Sequence, residues 1–167
     1  MADLFSEIPD PSRTGVVARR VLVTAFTLFS LAALIGFFGQ RASNSTAATP
    51  SARMTLKAPE SVRGGVFFQS RVDVRALAPI EHPRLVFDEG WLEGMQVNSI
   101  EPAAESENPR DGRLVLSYGG LDAGERLKIW LQFQVDPTSP GGRPHGLQLD
   151  DETRKLVRID RELTVLP

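Results

Sequence analysis

In the run LKIWLQFQVD, residues 127–136, every second side chain is apolar, and the residues between them are polar except for Trp130. Its apolar set is Leu127, Ile129, Leu131, Phe133 and Val135, and the residues between them are Lys128, Trp130, Gln132, Gln134 and Asp136. Successive side chains of a strand point to opposite faces, so this period of two predicts a strand with one buried face.

A second long run, residues 66–75, shows the same alternation, with Ser70 interrupting its apolar row. Shorter runs follow the pattern at 54–57, 84–87, 95–100, 113–118, 145–149 and 156–165, separated by turns rich in Gly, Pro, Asp and Asn. Seven or eight strands without helical periodicity predict an all-β fold, an antiparallel immunoglobulin-like β-sandwich over residues 53–167.

An uncharged apolar segment, residues 21–38, precedes this region and directly follows Arg19-Arg20. A helix rises 1.5 Å per residue and a bilayer core is about 30 Å thick, so we predict one N-terminal transmembrane helix over 21–39. Arg13, Arg19 and Arg20 on one side, against Arg41 on the other, favour a cytoplasmic leader (1–20) and an extracytoplasmic C-terminal domain. A cleaved signal peptide is the alternative, because small residues such as Ala42 and Ser43 follow the segment.

Two segments lack any strand pattern. Residues 40–52, QRASNSTAATPSA, are small and polar, and we predict that they form a flexible tether between membrane and domain. Residues 101–112, EPAAESENPRDG, are acidic and long for a hairpin connection, which predicts a mobile loop.

Charge and cysteine content exclude several classes of function. The chain has 19 basic and 21 acidic residues, and this nearly balanced mixture argues against a nucleic-acid partner. Cysteine is absent, which excludes disulfides, thiol catalysis and cysteine-based zinc sites.

Polar clusters that resemble catalytic or metal sites have simpler interpretations. Asp150-Asp151-Glu152 lacks the alternate ligand spacing of a calcium loop and is interpreted as a solvated acidic turn. Asp88-Glu89-Gly90-Trp91, with Glu93, could supply paired carboxylates beside an aromatic ring, as in a site that binds or cleaves glycosides. A turn between strands, with Trp91 packed on the sandwich edge, explains the same residues and is the favoured interpretation. His82 and His145 do not by themselves define a metal site. We therefore predict no catalytic residue, no metal and no cofactor.

Three aromatic side chains are candidates for a partner surface. Trp130 and Phe67 occupy the polar faces of the two longest predicted strands, and Trp91 lies in a turn. If the two strands are neighbours, Phe67 and Trp130 share one exposed surface of the kind that marks partner sites. Cross-strand packing or burial under a loop is the alternative.

The β-region resembles the immunoglobulin-like modules of bacterial exported proteins, especially the broad DUF11-like group. The resemblance depends on VFFQSRVDVRA (66–76) and LDAGERLKIWLQFQV (121–135), where a glycine-containing turn leads into an alternating strand. It implies an immunoglobulin-like fold. Members of that group commonly repeat the module, whereas this chain has one copy.

Three functions fit these observations. The first is a membrane-anchored, non-enzymatic interaction module that serves another membrane or envelope protein, by surface complementarity or by strand addition at an open sheet edge. The second is a cell-wall or carbohydrate-binding module that uses Trp91 or Trp130 as a sugar platform. The third is a structural spacer domain.

Overall fold

The computed structural model describes residues 13–34 and 40–167, which belong to two separate units. The described part of the first unit is the helix α1 (Arg13–Leu34). Its 22 residues correspond to about 33 Å at 1.5 Å per residue, which is enough to cross a hydrocarbon core. By length and composition α1 is therefore a candidate membrane span, and an N-terminal signal sequence meets the same criteria.

The helix begins earlier than the sequence predicted. Residues 13–20, assigned to the polar leader, are helical. Alanine and arginine favour the helix and no proline interrupts it, although Gly15 and the two valines are less favourable. Residues 1–12 of that leader, and residues 35–39 of the predicted transmembrane segment, lie outside the described residues.

The second unit is built from thirteen strands. They are β1 (Ala42–Ala48), β2 (Ala52–Pro59), β3 (Ser61–Arg63), β4 (Phe67–Ala76), β5 (Pro83–Phe87), β6 (Met95–Glu101), β7 (Ser106–Arg110), β8 (Arg113–Ser117), β9 (Arg126–Val135), β10 (Gly141–Pro144), β11 (Leu147–Asp151), β12 (Arg154–Ile159) and β13 (Glu162–Leu166). A short 3-10 helix, Glu89–Trp91, lies between β5 and β6.

These strands form an antiparallel β-sandwich. One large sheet has the order β1-β2-β4-β9-β6, the other has the order β12-β11-β5-β8-β7, and β10-β13-β3 make a smaller third sheet. Within residues 40–167, the β13–β3 pair is the one parallel pairing between named strands. The apolar faces of all three sheets meet in one hydrophobic core.

Both long alternating strands lie at the centre of the first large sheet. β4 pairs with β9 in antiparallel register, so that Val72 lies opposite Ile129 and Phe68 opposite Phe133. The predicted inward row of β9 is buried from Ile129 to Val135. Ser70 lies in the inward row of β4, between Phe68 and Val72. It is buried, and its hydroxyl has no hydrogen-bond partner.

The predicted tether requires a correction, because Ala42–Ala48 form β1 and pair with β2. The strand carries no apolar alternation, so its sequence gave no sign of it. Arg161, from the turn between β12 and β13, holds β1 in place. Its guanidinium donates to Ser43 Oγ at 2.8 Å and to Ser45 Oγ at 3.0 Å, and also to the carbonyl oxygen of Ala58.

Two other segments differ from their predicted form. The mobile loop predicted at 101–112 contains β7, which pairs with β8 through a two-residue turn. Asp111 and Gly112 in that turn have φ of 52° and 76°, the left-handed conformation that tight hairpins require. The run 156–165 is two strands in different sheets, because the chain turns at Asp160 and Arg161.

Trp91 joins the two large sheets at the centre of the core. Its ring packs edge-on against Phe87 of one sheet and tilted against Phe133 of the other, with ring centroids 5.2 Å apart in both cases. Phe133 in turn stacks on Phe68. The indole Nε1–H donates to the carbonyl oxygen of Gly146 at 2.9 Å. The single polar atom of this ring is therefore satisfied inside the core.

Replacing Trp91 by alanine should lower the free energy of unfolding by about 3–5 kcal/mol, because a fully buried ring that contacts both sheets leaves a cavity. Denaturant unfolding of the full chain in detergent micelles, followed by circular dichroism, measures the change. Trp130→Ala is the matched control, and at this partly exposed position we expect a clearly smaller loss, of about 1 kcal/mol or less. Equal losses for the two variants would contradict the central role of Trp91.

Candidate interaction surface

The outer face of the sheet β1-β2-β4-β9-β6 carries a concentration of positive charge, which we name the basic face. Its six members, two on each of β2, β4 and β9, are exposed. They are Arg53, Lys57, Arg71, Arg75, Arg126 and Lys128. They share a face because each strand places alternate residues on the same side.

Strand register places these cations in rows across the sheet. Arg53 lies opposite Arg75, and Arg75 lies opposite Arg126, which puts three arginines side by side. Four residues further along each strand, Lys57 lies opposite Arg71. Neighbouring strands are about 4.8 Å apart, so the charges of each row are close together.

Few carboxylates offset this charge. Asp73 lies between the two rows, opposite Lys128, and Glu101 of β6 lies opposite Trp130. Within the described residues, none of the six cations takes part in an ion pair or a side-chain hydrogen bond. Like charges directly opposite each other destabilise a sheet, so this arrangement costs stability in the isolated domain.

Two of the three predicted aromatic residues lie on this same face. Phe67 is 65% exposed and Trp130 is 38% exposed. Their strands pair, with Phe67 opposite Gln134 and Trp130 opposite Arg71. The four-residue offset along the strand corresponds to about 13 Å, so the two rings are not in contact. Gln69 and Gln132 lie between them.

Trp91 does not belong to this surface. It is 0% exposed, which corrects the prediction that placed it with Phe67 and Trp130. The turn that carries it packs closely against Pro144 of β10. A Cβ on Gly90 would fall on the carbonyl oxygen of Pro144, so only glycine fits at that position.

Asp151 and Asp88, from the two predicted acidic turns, form hydrogen bonds with groups that are close in space. Asp151 accepts from the backbone N–H of His82 at 2.9 Å and from Arg154 at 2.8 Å. The His82 bond, with help from Arg154, holds the pKa of Asp151 below its ordinary value. Asp88 is buried and forms two hydrogen bonds with the Arg158 guanidinium, at 2.8 and 3.2 Å.

No group of three or more His, Asp or Glu side chains in residues 13–34 and 40–167 could hold a metal ion. The two histidines lie in different environments. His82 is exposed and donates its backbone N–H to Asp151, whereas His145 is fully buried.

His145 is a neutral side chain enclosed by the core. Its ring stacks on Trp91, with centroids 3.4 Å apart, and both ring nitrogens lack a hydrogen-bond partner. Burial lowers the pKa of His145 to about 3, and the positive charges of Arg161 and Arg143 act in the same direction. The group therefore belongs to the core and offers no proton donor or acceptor at the surface.

The basic face was missed because net charge sums over the whole chain and says nothing about position. The signal was present in the strand pattern: Arg71, Asp73 and Arg75 alternate on β4, and Arg126, Lys128 and Trp130 alternate on β9. Which strands lie side by side decides whether these rows combine, and the sequence does not give that order.

Comparisons with known proteins add little beyond architecture. A search of protein-family models finds no match, and a search of curated proteins finds none either. The resemblance to DUF11-like modules is therefore supported only as a β-sandwich architecture.

Among solved structures, the solution structure of CaCohA2 from Clostridium acetobutylicum matches with a TM-score of 0.44 and 12% identity, over 75% of this chain and 91% of that chain. A non-cellulosomal cohesin from the hyperthermophilic archaeon Archaeoglobus fulgidus matches with a TM-score of 0.40 and 8% identity, over 76% and 92%. Values this low say nothing about what this chain binds, so its function is argued from its own surface.

His145 should make the fold less stable in acid. The unfolded histidine titrates near 6.5 and the folded one near 3, so between these values the unfolded state binds a proton that the folded state does not. Stability contributed by the neutral ring is therefore lost as the pH falls from about 6.5, by at most about 1.4 kcal/mol per pH unit. Denaturant midpoints of the full chain, measured in micelles across this range, give the slope.

His145→Phe and the smaller His145→Leu should both reduce this slope, because neither replacement side chain can be protonated. His82→Phe is the matched control, since His82 is exposed, and should keep the slope of the unmodified chain. An unchanged slope in both His145 variants would show that other groups govern the acid response.

Proposed function

We propose that this chain is a single-pass membrane protein that displays a non-enzymatic β-sandwich interaction module outside the cytoplasm, where it serves another membrane or envelope protein. Support for the anchor comes from α1, which is long and apolar enough to span a bilayer. Its large apolar side chains, such as Phe26 and Leu34, are exposed to the surroundings, as a lipid-facing helix requires.

The orientation follows from charge. Arg19 and Arg20 lie near the N-terminal end of the apolar segment, and Arg41 is the nearest cation after it. Cytoplasmic flanks carry the excess of basic residues, which favours an N-terminus in the cytoplasm and residues 40–167 on the other side.

The observation that carries the interaction role is the outer face of the first large sheet. Phe67 and Trp130 are exposed there, on the two central strands, and polar side chains separate them. Exposed aromatic residues within a polar surface are typical of partner sites. β1 and β6 are the terminal strands of this sheet, and a partner strand could add at such an edge.

The internal polar groups support a binding role over an enzymatic one. Asp88 accepts a hydrogen bond from Arg158, and the ring of His145 stacks on Trp91 inside the core. Neither side chain is free to meet a substrate. Burial of Trp91 also removes one of the two rings on which the carbohydrate-binding alternative depended.

The topology can be tested with single cysteines, because the chain has none of its own. We expect a membrane-impermeant maleimide to label Ala123→Cys, in the exposed turn before β9, on intact cells. Ser6→Cys, in the N-terminal segment, should be labelled only after lysis. The reverse pattern would overturn the orientation, and a mature product that lacks the N-terminal segment would replace the anchor with a cleaved signal.

A protein partner can be trapped from the same face. A photo-crosslinking amino acid at Gln132, exposed between Phe67 and Trp130, should give one reproducible adduct with an envelope or membrane protein in living cells. The matched control is Glu107, exposed on β7 of the other large sheet, which should not give that adduct. Identical adducts from both positions, or none from Gln132, would favour the structural spacer.

A further inference from the structure

The basic face is a positive region on a domain that is otherwise negative. Residues 40–167 have 16 basic and 18 acidic residues, and six of the basic ones lie on this face. The rest of the domain therefore has 10 basic residues against 18 acidic ones. Charge separated in this way makes the face attractive to a negatively charged partner.

We propose that the basic face binds an acidic segment of the partner protein, whose Asp or Glu side chains lie against the rows of cations. This inference rests on the proposed function, because it names the chemistry of the partner at the same face. Charge complementarity is the argument. Arg53, Arg75 and Arg126 repel one another in their cross-strand row, and carboxylates placed over that row would turn the repulsion into attraction.

A groove on the face has the size for side chains. Its volume is about 220 Å³, and it is lined by outward residues of β2 and β4 together with Asn44 and Arg126. Pockets for whole small ligands usually have about 300–1,000 Å³, so this groove suits a few side chains of a larger molecule. The two cation rows lie about 13 Å apart along β4, a distance that about five residues of extended chain span.

Two features favour a protein segment over a uniformly anionic surface or polymer. Asp73 lies in the groove between the two rows of cations, where it repels any array of phosphates that covers the whole face. Trp130 lies in the row of Lys57 and Arg71, so an apolar contact is adjacent to the charges. A protein segment supplies acidic and apolar side chains together and can leave the position over Asp73 without a carboxylate.

The negative charge of the remaining domain points the same way. A long polyanion would extend beyond the face and meet the excess of acidic residues outside it. A short acidic segment fits within the face and avoids that repulsion.

The test uses the full chain in living cells, with the photo-crosslinking amino acid at Gln132. Tandem mass spectrometry of the digested adduct identifies the partner peptide that is attached at this position. We expect that peptide to contain, or to adjoin, a stretch of the partner with several Asp or Glu residues.

Charge removal identifies the residues responsible. Replacing Arg53, Arg75 and Arg126 together by glutamine should lower the yield of the Gln132 adduct about tenfold, because three exposed charge contacts are lost.

A matched control removes the same charge from exposed positions off the face. It replaces Arg63, Arg113 and Lys155 by glutamine, and the yield of the adduct should stay unchanged. Circular dichroism of both triple variants, purified in detergent micelles, shows whether the fold is retained.

The outcomes separate this inference from the proposed function. The absence of any protein adduct from Gln132 in the unmodified chain would overturn the interaction role itself. A protein adduct that is equally abundant in both triple variants, or that has no acidic stretch near the attached peptide, would overturn only the acidic segment. An adduct with phospholipid or with a second copy of this chain, lost when the three arginines are replaced, would assign the face to that occupant instead.

Discussion

The contact of Trp91 with aromatic rings from both large sheets is the constraint on which the sandwich depends. The indole ring of Trp91, at the end of the short 3-10 helix, touches Phe87 on one side and Phe133 on the other. Its N–H is satisfied by the Gly146 carbonyl, so no polar group is left unpaired at that point. The glycines around it are equally constrained. A Cβ on Gly146 would meet the carbonyl oxygen of Ile159 at 2.8 Å.

The two faces of the central sheet have opposite chemistry, and the strand period of two is the cause. Inward residues of β4 and β9, such as Val72 and Ile129, join the core, while the residues beside them carry the charges of the basic face. The register that packs the core therefore also fixes the rows of cations. A shift of one residue would move arginines into the core, so stability of the interior determines the geometry of the surface.

The strands with local alternation were predictable, and those without it were not. Residues 66–75 and 127–136 match β4 and β9 closely, because the burial of one face imposes alternation on the sequence itself. β1 has no apolar residue larger than alanine and is held by pairing with β2 and by Arg161, which is more than a hundred residues away in the chain. No local sequence pattern can indicate such a partner. The same holds for β7, where a hairpin turn at Asp111-Gly112 was recognisable but the strand before it was not.

The sequence alone determined the all-β character of residues 53–167, the apolar helix before them and the absence of cysteine chemistry, since each of these depends on composition or on periodicity along a short stretch. Tertiary structure decided which strands are neighbours, and with that the burial of Trp91, the enclosure of His145 and the gathering of six cations on one face. The reason is physical: which strands become neighbours depends on contacts between residues distant in the chain, and no pattern along a short stretch of sequence identifies the partner.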